Sequence, residues 1–189
     1  PKGTETLGPG QELTVSRFLA VGKSPLDAVG VAGLRRGGAI RAGFSLHDEN
    51  GKPADSAALQ VEVEPGKTLV GYPDNSGNVA LALPTGTYAW RVEDQGRETV
   101  TGTMKLEEGV DVARETVKLG SRSVVTFSIK DGAGKSIPCK VQFAGREGTK
   151  NPNLGPQNRA YGCRDQWHSE RGDFRVPLAA GKYRITVTR

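Results

Sequence analysis

The chain has 189 residues, a net charge of +5, 26 glycines and a single methionine. This profile favours strands and tight turns over helices, and the length allows one large or two small domains, each with its own core. No apolar run approaches the roughly 20 residues that cross a bilayer. The basic residues are scattered among acids, as at Arg91, Glu93, Asp94 and Arg97, and form no nucleic-acid motif.

Residues 1–36 differ in pattern from the rest of the chain. No basic-then-apolar leader opens them, as none would in a mature secreted product. Leu13, Val15 and Leu19 lie within Glu12 to Val21 at a spacing that suits a strand. Ser24-Pro25-Leu26-Asp27 then combines an N-cap residue, a proline in the first turn and an acid able to bond back to the Ser24 backbone. The helix it starts is short: Gly30 and Gly33 weaken it, and Arg36-Gly37-Gly38 ends it. One strand and one helix bury no core alone. The segment therefore docks on the next domain or is the tail of a preceding one.

Residues 37–120 read as a first β-sandwich repeat. Strands are expected over Ile40 to Leu46, Leu59 to Val63, Val100 to Leu106 and Val112 to Leu119, with turns at Asp48-Glu49-Asn50-Gly51 and Pro73 to Gly77. A closing hairpin runs from Gly77 through Leu83 and Gly86 to Tyr88 and Val92. Residues 121–189 repeat the pattern. Phe44, Asp48 and Gly51 match Phe127, Asp131 and Gly134 at an offset of 83, while Gly77, Leu83, Gly86 and Tyr88 match Gly172, Leu178, Gly181 and Tyr183 at an offset of 95. The larger second offset places an insertion near residues 145–170. It is polar, rich in Pro and Gly, and reads as a long loop. The fold class is all-β: two tandem small Ig-like sandwiches behind a short N-terminal strand and helix.

The two cysteines, Cys139 and Cys163, sit in no CxxC pair, which leaves a zinc or redox motif unsupported. In a chain of extracellular character a disulfide between them is the favoured use, with two buried thiols as the alternative. Such a bridge would clamp the insertion to the strand starting at Cys139 and add about 3 kcal/mol on the chain-entropy model.

The pairing of FSLHDENGKPAD with GNVALALPTGTYAWRV, and of VTFSIKDGAGKSIPCKVQFAG with GDFRVPLAAGKYRITVTR, resembles the carboxypeptidase-regulatory-like, prealbumin-like β-sandwich modules. IPCKVQFAG, a loop carrying NPNLGP and the final hairpin are similar to the segment in front of the catalytic domain of CehA/McbA-type metal-dependent hydrolases, of the polymerase-and-histidinol-phosphatase superfamily. The opening RFLAVGKSPLDAVG is similar to the region before those modules. The resemblance implies an accessory portion of an enzyme. Metal sites of that superfamily use several His with Asp and Glu, often opening with an HxH pair, and this chain has only His47 and His168.

No catalytic set assembles, and no metal or cofactor site is expected. There is no Gly-x-Ser-x-Gly elbow and no phosphate-binding glycine loop. The turns at Asp48 and Asp74 carry oxygens that could surround Ca²⁺, but they suffice as Asx turns without an ion. Arg171-Gly172-Asp173 spells an adhesion tripeptide, yet its glycine matches the turn glycine Gly77. Tyr161 and Trp167 in the insertion form a candidate platform for a sugar or a neighbouring domain, against the alternative of packing on their own sheet. The expected role is a non-catalytic structural or docking portion of a larger secreted, periplasmic or cell-surface protein. Its partner is the remainder of that polypeptide or a neighbouring domain. A carbohydrate- or cell-surface-binding module using residues 145–170 is the alternative, and nucleic acid and a membrane span are not expected.

Overall fold

The helix signal at Ser24 produces α1 (Pro25–Arg36). The structure, a computed structural model, describes residues 6–110, 112–155 and 162–189. The Ser24 hydroxyl accepts from the Asp27 N–H at 3.2 Å, which satisfies one of the free donors of the first turn. The return bond from Asp27 reaches one residue further than expected, to the Lys23 N–H at 2.8 Å. Gly37, at φ +84°, closes the helix by donating to the Leu34 carbonyl. Gly30 and Gly33, which weaken the helix in isolation, let it dock. A β-carbon on Gly30 would lie 2.9 Å from the Ala82 nitrogen, and one on Gly33 would lie 3.1 Å from the Ala39 methyl. Leu26 on the same helix is fully buried in the first core.

The strand expected across Glu12 to Val21 does not form. The alternation is there, but no ladder reaches it among the described residues, and Leu13, Val15, Leu19 and Val21 are exposed. An extended segment without a hydrogen-bonded neighbour is not a strand.

Seven strands follow α1: β1 (Ala39–His47), β2 (Ala58–Glu64), β3 (Lys67–Gly71), β4 (Asn78–Pro84), β5 (Gly86–Glu93), β6 (Val100–Leu106) and β7 (Val112–Lys118). They form a sheet of order β4-β1-β7 and another of order β3-β2-β5-β6. Alternate residues from both sheets fill one core, centred on Phe44, Leu46, Leu59, Val61, Leu83, Val92, Met104 and Leu106. Six more strands follow: β8 (Val124–Ser128), β9 (Cys139–Arg146), β10 (Gly162–Cys163), β11 (Gln166–Ser169), β12 (Asp173–Pro177) and β13 (Lys182–Thr188). Their sheets run β12-β8 and β10-β11-β9-β13. A second core gathers Val141, Phe143, Leu154, Val176 and Leu178, with Phe127, Phe174 and Tyr183 at its margin. The chain is thus an all-β sandwich architecture, with one short helix among the described residues.

The repeat holds in register. Phe44 stands opposite Val79 on β1 and β4, and Phe127 stands opposite Phe174 on β8 and β12. These are the same positions in the two copies. The Tyr88 hydroxyl donates to the Pro84 carbonyl at 2.9 Å, and the Tyr183 hydroxyl donates to the Ala179 carbonyl at 3.0 Å. Each tyrosine ties its strand to the connection four residues back. Burial pushes both phenols above their ordinary pKa. Gly77 and Gly172 also correspond. Both have positive φ, and a β-carbon would fall 2.4 Å from the Leu46 carbonyl oxygen in one and 2.5 Å from that of Ile129 in the other.

Two expectations are corrected here. The insertion is not all loop, because its end turns back as β10 and β11, and β11 joins the edge of β9. Cys139 and Cys163 are not bonded to one another. Cross-strand parity explains it. Cys163 lies opposite Gln166, which lies opposite Gln142 on β9. Cys139 is three residues from Gln142, an odd number, so its side chain leaves the opposite face of the sheet. Cys139 points into the second core, where burial raises its thiol pKa and keeps it protonated. Two cysteines on opposite faces cannot meet the geometry of a disulfide.

Candidate functional site

An extended polar arrangement lies between the strands around the first core and those around the second. β5 ends at Glu93, and the turn beyond it carries Asp94 to Arg97. Ser76, Asn50 and similar turn residues face water, but Asp94 does not: only 1% of its side chain is exposed. Its Oδ1 accepts from the Ser56 hydroxyl at 2.9 Å. Its Oδ2 accepts from Arg97 Nε at 2.9 Å and from Arg122 Nη2 at 2.7 Å. Arg122 also donates to the Ser56 hydroxyl at 2.6 Å. The carboxylate therefore has a donor on each side and two guanidinium charges against it, which is what a buried anion requires.

The clamp ties distant parts of the chain. Arg97 donates to the Gly120 carbonyl in the segment linking β7 to β8, and its other nitrogen lies 3.7 Å from Asp48. Arg122 belongs to that linking segment. The Ser123 N–H donates to the Gly96 carbonyl at 2.8 Å, and the Leu178 N–H donates to the Ser123 carbonyl at 3.1 Å. Gly96 has φ +80°, and a β-carbon there would meet the Ser123 carbonyl at 2.6 Å and the Pro177 ring at 3.1 Å. Only glycine fits both the backbone conformation and the close approach.

The insertion contributes a second set of contacts. Leu154 is buried in the second core. Its carbonyl accepts from Gln95 Nε2 at 2.7 Å, and the neighbouring Asn153 amide reaches Glu93 at 3.3 Å. The first part of the insertion thus joins the second core to the turn after β5. Trp167, on β11, is half-buried and packs against the second core. Tyr161 lies outside the described residues.

The other motifs are held by local turn chemistry. Asp48 Oδ1 accepts from the N–H groups of Asn50 and Lys52, both at 2.9 Å. Asp74 Oδ1 does the same with Ser76 and Asn78, and Asp131 Oδ1 with Ala133 and Lys135. These are Asx turns. The Lys52 and Asn50 donors hold the Asp48 carboxyl below its ordinary pKa. In Arg171-Gly172-Asp173 the glycine is buried, and the Asp173 carboxylate accepts from the Ser136 hydroxyl at 2.6 Å. That bond and a second from Ser128 lower the Asp173 pKa. His47 ends β1 and His168 sits exposed on β11. Among the described residues, no three His, Cys, Asp or Glu side chains converge as metal ligands would. Among the same residues, no helix is long and apolar enough to cross a membrane.

In the sequence, Glu93 and Asp94 group with Arg91 and Arg97 as charges on a solvated face. The signal that marks them otherwise is positional: Asp94 and Arg97 follow a closing hairpin, and Arg122 stands at the boundary between the repeats.

No protein-family model and no curated protein matches the chain. Solved structures similar to it include a streptococcal ancillary pilin, at 18% identity and a TM-score of 0.46 over 80% of this chain and 54% of that one. The major pilin subunit of Bacillus cereus is similar at 11% identity and a TM-score of 0.40, over 57% of this chain and 43% of that one. A putative adhesin from Bacteroides ovatus is similar at 9% identity and a TM-score of 0.36, over 75% of this chain and 66% of that one. The chain spans about half the length of the pilin chains and less than two thirds of the adhesin.

Proposed function

We propose that this chain is a non-catalytic spacer of a larger secreted or cell-surface protein, in which two β-sandwich units, 37–120 and 121–189, are held in one fixed orientation. The observation that carries the reading is the Asp94 clamp. A flexible tether between two modules has no use for a carboxylate shut away from water and gripped by Arg97, Arg122 and Ser56. Orienting groups of this kind stabilise one arrangement over its neighbours, because any displacement strands a buried charge. α1 acts as a brace on the first unit.

The resemblance to the modules of CehA/McbA-type hydrolases supports a finer version, in which the spacer positions a metal-dependent catalytic domain elsewhere in the polypeptide. Two measurements test the proposal. Backbone ¹⁵N relaxation should give both sandwiches one shared tumbling time, and two independent times would refute a rigid spacer. The purified chain should also hydrolyse no ester or phosphoester with Mn²⁺ or Zn²⁺ added, and metal-dependent turnover would end the non-catalytic reading.

A further inference from the structure

The outer faces of the two four-stranded sheets can be compared position by position. Leu59 opposite Val92 corresponds to Val141 opposite Val187. On this inner side Val92 is fully buried and Val187 is 43% exposed. The residues that alternate with them point to the other side of the sheet. On β2 these are Ala58, Gln60, Glu62 and Glu64, and on β5 they are Thr87, Ala89, Arg91 and Glu93. The matched residues are Lys140, Gln142, Ala144 and Arg146 on β9, and Lys182, Arg184, Thr186 and Thr188 on β13. The glutamine is kept, but the charge around it is inverted. Three acids and one arginine stand on the first pair of strands, and four cations with no acid stand on the second.

The first face neutralises itself. Glu93 accepts from Gln60 Nε2 at 3.0 Å and lies 3.5 Å from Arg91 Nε. Glu62 accepts from the Gly66 N–H at 2.9 Å, and Glu64 pairs with Lys67 at 3.0 Å. The second face does not. Arg146 stands directly opposite Lys182, and like charges so placed cost stability by themselves. Glu147, just after β9, pairs with Lys182. Among the described residues Lys140, Arg146 and Arg184 have no ion pair. β11 adds Gln166 opposite Gln142 and His168 opposite Lys140 to the same face. Trp167 between them points the other way, against the second core. In the sequence these cations are dispersed from Lys140 to Arg184; the antiparallel pairing of β9 with β13 gathers them.

We propose that this outer face of β11, β9 and β13 is a binding surface for a linear acidic polysaccharide. Its cations form two groups, Lys140 at one end and Arg146, Lys182 and Arg184 towards the other, and Lys140 and Arg146 lie about 20 Å apart at the usual strand rise. The amides of Gln142 and Gln166 and the hydroxyl of Thr186 stand between the groups. Such a face matches a polymer that alternates anionic groups with hydroxyls. The cations take the anions, and arginine holds a carboxylate through two parallel hydrogen bonds. A single-stranded nucleic acid finds no aromatic side chain on this face to stack against. A four-stranded sheet is also too broad for the major groove of a duplex, which admits a helix or a two-stranded ribbon. A membrane finds no large apolar side chain here to take up. The surface is additional to the spacer role and does not depend on it.

The test titrates the full chain with polygalacturonate, a linear polymer with one carboxylate per sugar, by calorimetry at low and at physiological salt. One variant gives the second face the residues of the first at the matched positions: Lys140→Ala, Ala144→Glu, Arg146→Glu, Lys182→Thr and Arg184→Ala. A control removes the same net charge elsewhere, through Lys118→Glu, Lys135→Glu and Arg175→Glu. The chain should bind, more weakly as salt rises. The exchanged variant should bind at least about tenfold more weakly, and the control within about twofold of the unaltered chain. Arg184→Ala alone truncates one exposed side chain and should weaken binding about threefold, which keeps the test open if the exchanged variant fails to fold. Absence of binding, or equal weakening in the exchanged and control variants, would overturn the surface. So would binding of neutral dextran as tight as that of polygalacturonate. Tighter binding of a short DNA duplex or of phosphatidylserine vesicles, lost in the exchanged variant, would assign the face to that partner instead and overturn the proposal.

Discussion

In the first sandwich Gly71 lies opposite Leu59, and in the second Trp167 lies opposite Val141. The same register position is thus filled by the smallest side chain in one copy and the largest in the other. A β-carbon on Gly71 would sit 3.0 Å from the Leu26 side chain. The first sandwich leaves space there, and α1 fills it. The second fills it with its own indole, packed on the second core. On the opposite side, β6 and β7 lie beside β5 and β1, while β13 and β8 are edge strands among the described residues. The shared register position is covered by different groups in the two. What differs between the copies is the supply of covering groups; the ladder beneath them is the same.

The contrast between the two units should break most visibly at the clamp, which has no counterpart at the far end of the second sandwich. Asp94→Ala leaves Arg97 and Arg122 facing each other without their anion and should cost about 3–5 kcal/mol in urea unfolding. It should also separate the tumbling of the two units. A cost within experimental error would mean that the junction contributes nothing to stability.

Next in size is the contrast between matched core positions. Val92→Ala should destabilise by about 2 kcal/mol, from lost burial plus a cavity, while Val187→Ala should cost under about 1 kcal/mol because much of that side chain is already wet. Equal costs would contradict a closed first core and an open second one. The two tyrosine bonds predict likeness instead. Tyr88→Phe and Tyr183→Phe should each lose about 1 kcal/mol, since each removes one hydrogen bond to a carbonyl of the preceding connection.

The smallest effect concerns acid. Backbone donors depress the Asp48 carboxyl and serine hydroxyls depress that of Asp173. A group with a lowered folded pKa stabilises the fold above its unfolded value, near 3.8, and that contribution is lost as pH falls through the lower folded value. Stability should therefore decline as pH drops below about 4. Asp48→Asn and Asp173→Asn should each make that decline shallower, as read from thermal midpoints across the range.

Much of the scaffold was legible because turn chemistry and alternation are local. The glycines at 77 and 172, the aspartates at 48 and 131 and the tyrosines at 88 and 183 announce the same turn and the same tie in both copies. The N-cap at Ser24 is equally local. The misses share a different cause. Glu12 to Val21 has strand alternation, but pairing depends on a neighbour that alternation does not supply. β3 is five residues between two turn signals, and β11 is four residues ending a polar insertion, both too short to show a period. The disulfide failed on parity, which appears only once β11 is known to lie between β10 and β9. Asp94 reads like any surface acid until the linking segment with Arg122 folds back over it.

Leu26 has a consequence for the order in which the molecule is completed. It sits near the start of the chain, yet the groups it touches, Gly71 and through it Val79, are made much later in synthesis. A ribosome delivers α1 long before its socket exists. The helix must wait, with its buried face in water, until β3 and β4 have emerged and paired. The docking of α1 therefore waits on a long loop being brought together, and loop closure of this kind is slow. In the second sandwich Trp167 lies closer in sequence to its partner Val141 than Leu26 does to Gly71, so the loop to be closed is shorter.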